Sequence, residues 1–178
     1  EGTPNVDILH SNTTNLNIGW PAGILADDII ILTVTKAANE TIPLPSGFTA
    51  ISQLSSAADS VMVAWYRADG TESGGFSVTG VDDGTSKHAN IYTFRGALTT
   101  GDPTESVVTA SPTSSTGQSL SNGLSSGDDR LAVMVYFQGE NIAVTNNSTG
   151  YTQQYISQSP AGTDASIAIL TEVLADNT

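Results

Sequence analysis

A serine flanked by glycines is the first residue in this chain with the look of a nucleophile. Gly123-Leu124-Ser125-Ser126-Gly127 fits the G-x-S-x-G elbow. That motif works because a sharp turn between a strand and a helix lifts the serine oxygen out of the backbone. Here a Ser/Gly-rich stretch precedes Ser125, and an apolar run with strand character follows at 131–137. The context is wrong, and a chain so rich in serine and glycine spells the pattern by composition alone. A triad also needs a histidine and an acid. The two histidines, His10 and His88, have no spacing that ties them to Ser125 or to each other. Both read as surface or strand-end residues.

Carboxylates come in adjacent pairs: Asp27-Asp28, Asp82-Asp83 and Asp128-Asp129. Adjacent acids in a turn can supply oxygens to Ca²⁺, with backbone carbonyls completing the shell. Aspartate is equally an ordinary turn residue, because its side chain bonds nearby backbone N–H groups. The first and third pairs stand just before apolar runs and read as turns. Asp82-Asp83-Gly84-Thr85 is the better candidate for a structural Ca²⁺. No H-x-x-x-H or similar spacing offers a zinc site, and no cysteine is present for a thiolate ligand, a disulfide or a Cys nucleophile. A glycosidase pair of carboxylates cannot be read from this sequence. Sequons stand at Asn12, Asn39, Asn146 and Asn147. Trp65 ends an apolar strand and reads as core. Trp20, beside a Pro-Ala-Gly turn, reads as a buried edge or subunit contact, with a sugar-stacking platform as the alternative. No catalytic, cofactor-binding or metal-ligating set is assigned, and the chain reads as non-enzymatic.

The elements that would carry these residues are strands. Short apolar or alternating runs are bounded by Gly, Pro, Asn, Asp and Ser, and helical periodicity is nearly missing. The pattern predicts strands at 14–18, 29–35, 48–54, 61–67, 76–79, 89–94, 106–110, 131–137, 142–145, 151–157 and 166–173. The runs IIILTV, VMVAWY and LAVMVYF are apolar on both faces, whereas a half-exposed antiparallel strand alternates. Two explanations stand: central strands under long loops, or a contact with a neighbouring subunit.

With 178 residues the chain suits one domain, spanning 1–178 with an N-terminal arm at about 1–13. It is long enough to bury a core without disulfides. Its 18 acidic residues against 5 basic ones give a net charge of −13. Such a surface repels nucleic-acid phosphates and anionic membranes. No apolar run reaches the ~20 residues of a membrane span. Few charges, with abundant Ser, Thr, Gly and Asn, point to an extracellular or virion surface.

The chain also repeats itself. Asp27-Asp28 before IIILTV parallels Asp128-Asp129 before LAVMV, and Ser46-Gly47-Phe48-Thr49 parallels Thr149-Gly150-Tyr151-Thr152. Val61-Met62-Val63-Ala64 then parallels Ile167-Ala168-Ile169-Leu170. In this alignment Ile30, Leu32 and Val34 match Leu131, Val133 and Val135 as inward residues. One such unit exposes an apolar sheet face that it cannot bury alone. Two related halves, at about 21–67 and 122–173, predict a single antiparallel β-sandwich of jelly-roll type.

Particular turns carry a resemblance. Pro21-Ala22-Gly23 with Asp28, Pro45-Ser46-Gly47-Phe48-Thr49, Trp65-Tyr66, and Phe94-Arg95-Gly96 with Pro103 follow one another over about residues 14–174. This succession resembles the jelly-roll domains of tailed-phage structural proteins and of some bacterial surface proteins. The second half departs from it, for Gly150-Tyr151-Thr152 lacks the preceding Pro pair and the aromatic-Arg-Gly turn is not repeated. The resemblance implies a non-enzymatic block on a particle surface, with no catalytic residues to carry over. The leading expectation is a virion structural protein, foremost a capsid decoration protein and otherwise a tail or fibre component, forming homo-oligomers. A second is a subunit of an extracellular filament or surface layer, in which residues 1–18 add a strand to a neighbour's sheet. A third is a carbohydrate-binding module.

Overall fold

The computed structural model describes residues 15–55, 59–79, 87–109, 130–138, 150–158 and 166–174. The arm at 1–13, His10, Ser125, Asp82-Asp83, Asp128-Asp129, the predicted strand at 142–145, and Asn12, Asn146 and Asn147 lie outside the described residues.

The described residues form nine strands and no helix. They are β1 (Leu16–Gly19), β2 (Ile29–Lys36), β3 (Thr49–Ser55), β4 (Ser60–Arg67), β5 (Gly75–Val78), β6 (Lys87–Phe94), β7 (Arg130–Gln138), β8 (Thr152–Gln158) and β9 (Ser166–Leu174). All pairings are antiparallel, in sheets ordered β1-β5, β3-β4-β2-β6 and β7-β9-β8. The predicted strand at 106–110 does not form over its described part, 106–109, which is exposed coil.

Strand β2 explains its own composition. It pairs with β4 on one side and β6 on the other, each over its full eight residues, and every residue of it is buried. A strand covered on both faces gains from apolar and β-branched side chains at every position. Alternation divides the sheet into two faces. One carries Ile30, Leu32 and Val34 of β2, Met62 and Ala64 of β4, and Ala89 and Ile91 of β6. These join Leu16 and Ile18 of β1, Val78 of β5, and Ile42, Phe48 and Ala68 in one buried cluster. The other face carries Thr33, Thr35, Asn90 and Tyr92, also buried.

Strands β7, β8 and β9 repeat the plan of β2, β3 and β4. Each trio places its third strand in the middle, in the orders β3-β4-β2 and β8-β9-β7. Each has one register irregularity at the same place, between Ala50 and Ser52 in β3 and between Gln153 and Tyr155 in β8. Gly47 and Gly150, at matching positions before β3 and β8, both take positive φ (86° and 92°). A Cβ on Gly47 would press on the Tyr66 ring and one on Gly150 would collide with the Glu172 carboxylate, so each glycine meets the same position of its middle strand.

The ladders correct the register of the sequence alignment. The row Ala50–Ala64–Leu32 corresponds to Gln153–Leu170–Met134, so Leu32 matches Met134 rather than Val133. A shift of one residue exchanges the faces of a strand. Burial agrees: Ala132 is buried, while Leu131 and Val133 are exposed.

The β1–β5 ladder closes on a glycine pair, Gly19 opposite Gly75. A Cβ on Gly75 would collide with the Ile18 carbonyl, whereas one on Gly19 meets nothing nearer than the Gly74 oxygen at 3.9 Å. Gly75→Ala is therefore expected to cost about 1–3 kcal/mol of stability, and Gly19→Ala at most about 0.5 kcal/mol. Denaturant midpoints of the two variants check this, and equal midpoints would refute it.

Candidate assembly surface

The turns singled out in the sequence meet in space. Asp28, directly before β2, is 2% exposed and faces Arg95, directly after β6. The guanidinium is bidentate: Nε donates to Asp28 Oδ1 at 2.9 Å and Nη2 to Oδ2 at 2.8 Å. Nη2 also donates to the Gly23 carbonyl at 2.9 Å, and the Leu25 N–H donates to Asp28 Oδ2 at 2.9 Å. One ion pair thus fastens the Pro-Ala-Gly turn to both strand ends. The hydrogen bonds from Arg95 hold the Asp28 carboxyl below the usual aspartate range, against burial, which pushes it up. Asp27 occupies the turn at φ 69°.

Arg67 serves the same loop from β4. Its guanidinium donates to the Leu98 carbonyl and, at 2.9 Å, to the Gly101 carbonyl. It lies 5.9 Å from the centre of the Trp65 ring. Trp65 corrects the expectation of a core tryptophan. It pairs with Ile31 on the face away from the apolar cluster and is half-buried. Trp20 packs among Phe48, Tyr66 and Phe76, with ring centroids 4.7–6.1 Å apart. Its ring lies parallel to that of Phe48, to within 3°. The cluster locks β1, β4 and β5 together, and Trp20 is half-buried within it rather than presented as a flat platform. Tyr66 donates to Glu72 Oε1 at 3.0 Å; burial first, and then Glu72, push its pKa up to about 12.

The other candidates have structural surroundings. Of the two readings of His88, surface or strand end, the second holds: it is the second residue of β6, opposite Thr35, and is 2% exposed. Asn39 is exposed. Exposed acids close their own turns. Asp69 Oδ1 accepts from Thr71 N and Oγ1, and Asp102 Oδ1 accepts from Thr104 N and Oγ1, at 2.6–2.8 Å. Among the described residues no three His, Asp or Glu side chains gather as a metal site.

What remains is a surface. Eight large apolar side chains are exposed among the described residues, and five of them lie on or beside the third sheet: Leu131, Val133, Val173, Val107 and Val108. Leu131 and Val173 are directly opposite in the β7–β9 ladder, and Val173 is 69% exposed. Glu105 accepts from Arg130 Nε at 3.0 Å, which brings Val107 and Val108 close to the start of β7. No charged residue stands on this face of β7 and β9: Leu131, Val133 and Val173 are exposed on it, Val135 and Phe137 are half-buried, and Ile167, Ile169 and Thr171 are buried. Strand β7 runs straight for nine residues against β9, and among the described residues it pairs with β9 alone. A long, straight, apolar strand at a sheet edge is a template for another chain. The sequence signal for it was the doubly apolar run LAVMVYF; what the sequence did not show was which face stays open.

No family model matches the chain, and no curated protein or solved structure does so.

The clamp and the tyrosine give two tests. A carboxylate with a depressed pKa adds stability that is present above the unfolded value of about 3.9. That contribution is lost as pH falls through the folded value. Asp28→Ala is expected to cost about 2 kcal/mol, the scale of a charge-assisted hydrogen bond. It should also flatten the loss of stability below pH 4, as read by urea midpoints from pH 2 to 7. An unchanged acid limb would show that Asp28 is not depressed. Tyr66 should ionise near pH 12. Its stabilising share is complete below the ordinary value of about 10 and is lost as pH rises from there. Absorbance titration of Tyr66→Phe should lack one tyrosine's worth of absorbance change near pH 12.

Proposed function

We propose that this chain is a non-enzymatic structural protein of a virion, a capsid decoration protein that binds neighbouring subunits on the particle surface. In this reading the fold is a jelly-roll β-sandwich whose two halves are related units. The observation that carries the reading is the exposed apolar group Leu131, Val133 and Val173, on an uncharged face of β7 and β9, in a molecule of net charge −13. Two such molecules repel at long range, so they associate only where short-range apolar contact outweighs the repulsion. Exposed contiguous apolar surface marks an interaction site. The resemblance to tailed-phage jelly-roll domains points the same way, and its quoted residues Gly23, Asp28 and Arg95 are joined in one hydrogen-bonded cluster. Particle proteins act through repeated identical contacts, which makes a homo-oligomer the expected form.

The edge of β7, which among the described residues pairs with β9 alone, favours a second reading, a subunit of an extracellular filament or surface layer assembled by strand addition. Polymer length separates the two. In light scattering over a range of concentrations, decoration gives a small closed oligomer, or a monomer that binds a capsid lattice. A filament grows without limit as concentration rises. Leu131→Glu with Val173→Glu is expected to abolish association, or lattice binding, while leaving the denaturant midpoint within about 0.5 kcal/mol of the parent, as for surface sites. Unchanged association in that variant would remove β7 and β9 from the interface.

A further inference from the structure

The second face of the central sheet holds a buried polar row that the assembly reading does not use. Asn90 of β6 lies directly opposite Thr33 of β2, and Thr35 is two residues along on the same face. Asn90 and Thr33 are 0% exposed and Thr35 is 1% exposed. Both amide atoms of Asn90 and the hydroxyls of Thr33 and Thr35 lack a hydrogen-bond partner among the described residues. Burying an amide or a hydroxyl without a partner costs several times what an ordinary hydrogen bond contributes. Four such atoms within one patch of two adjacent strands do not balance unless something small bonds to all of them.

We infer that this row is a hydrated seam, a site that binds at least two ordered water molecules on the second face of the central sheet. The ligand must be small, neutral, and both donor and acceptor. Asn90 Nδ2 requires an acceptor, Asn90 Oδ1 a donor, and each threonine hydroxyl can serve as either. Water meets all of these demands, and none of the four atoms is ionisable; His88 stands beside the row, opposite Thr35. Directly opposed side chains in an antiparallel ladder have Cβ atoms about 4.5–5.5 Å apart, and diagonal ones stand farther away. Those gaps are spanned by a bridging water. A direct Thr33–Asn90 bond does not remove the need. The amide has two donor hydrogens and an acceptor oxygen with two lone pairs, so one bond leaves most of its capacity and the Thr35 hydroxyl unserved. Buried waters of this kind make about three bonds each to polar groups that the chain cannot pair.

The seam favours the same register of β6 as the Arg95–Asp28 pair. Sliding β6 by one residue along β2 would carry Asn90 into the apolar cluster, where Ala89 and Ile91 now lie. It would also put those apolar side chains against Thr33 and Thr35. The waters make the correct register the one in which all four atoms are bonded. The inference does not depend on what the protein assembles with.

The test is ¹⁷O magnetic relaxation dispersion on the whole protein, with water itself as the probe. At least two waters with residence times beyond nanoseconds are expected. The Thr33→Val, Thr35→Val double variant should lose at least one of them. No long-lived water in the parent, or an unchanged count in a folded variant, would overturn the seam. Should that variant not fold, cross-relaxation between the Asn90 side-chain amide and water in the parent decides. A bound-water signal supports the seam and its absence refutes it.

Discussion

The bidentate pair between Arg95 and Asp28 is the constraint on which the rest of the described structure leans. It joins the residue that opens β2 to the residue that follows β6, across 67 positions of chain. Those two strands pair over eight residues, and a ladder of that length has many offsets of nearly equal backbone hydrogen bonding. A planar guanidinium bonded to both oxygens of one carboxylate is satisfied at a single offset. The same guanidinium reaches the Gly23 carbonyl, so the turn entering β2 is set by the contact that sets the strands. The pair sits at the edge of the fold, where Arg95 remains half exposed while Asp28 is buried. That placement limits the cost of desolvating the cation and keeps the directional bonds.

Positive charge is handled in this way throughout. Basic side chains hold acceptors: Lys36 on Glu40, Arg67 on two carbonyls, Arg95 on Asp28 and Gly23, and Arg130 on Glu105. Lys87 is buried opposite Lys36. Cations are used here as fasteners within the fold. The exposed surface is left to the acids, several of which are turned inward on their own loops, as Asp69 and Asp102 show.

Strands were legible in the sequence because their signals are local. Gly, Pro and Asp punctuation bounded β2, β3, β4 and β6 to within two residues, and the phrase shared by Gly47 and Gly150 led to two trios with one strand order. Faces were less legible, because face depends on register, and register depends on contacts between distant residues. LAVMVYF is apolar at every position, so nothing in it distinguishes the covered side from the open one. A shift of a single residue in the alignment was enough to mistake Leu131 and Val133 for core. Trp65 misled for a related reason: a large aromatic at the end of an apolar strand is core by composition, and only the β2–β4 pairing places it on the second face. The buried polar row was hidden because Thr33, Asn90 and Thr35 are ordinary strand and turn residues when read singly. The ladder alone brings them side by side.

The two trios then show how one plan meets different ends. In the first, β2 is paired on both edges, and Ile29 and Ile31 are buried at 4% and 8% exposure. In the second, the equivalent residues Leu131 and Val133 are each 37% exposed, and β7 has β9 as its one partner among the described residues. The same apolar alternation that closes a core in the first trio leaves a surface open in the second. β3 and β8 are blunted by the same irregularity, and β3 is polar on its outer side. Of the two edges of the third sheet, β8 is therefore ill-suited to pairing and β7 is suited to it. Selection for solubility alone would have placed a charge on Leu131 or Val133, at little cost to stability. Leu131 and Val133 are instead apolar and exposed on a molecule of net charge −13, and the proposed assembly role rests on that departure.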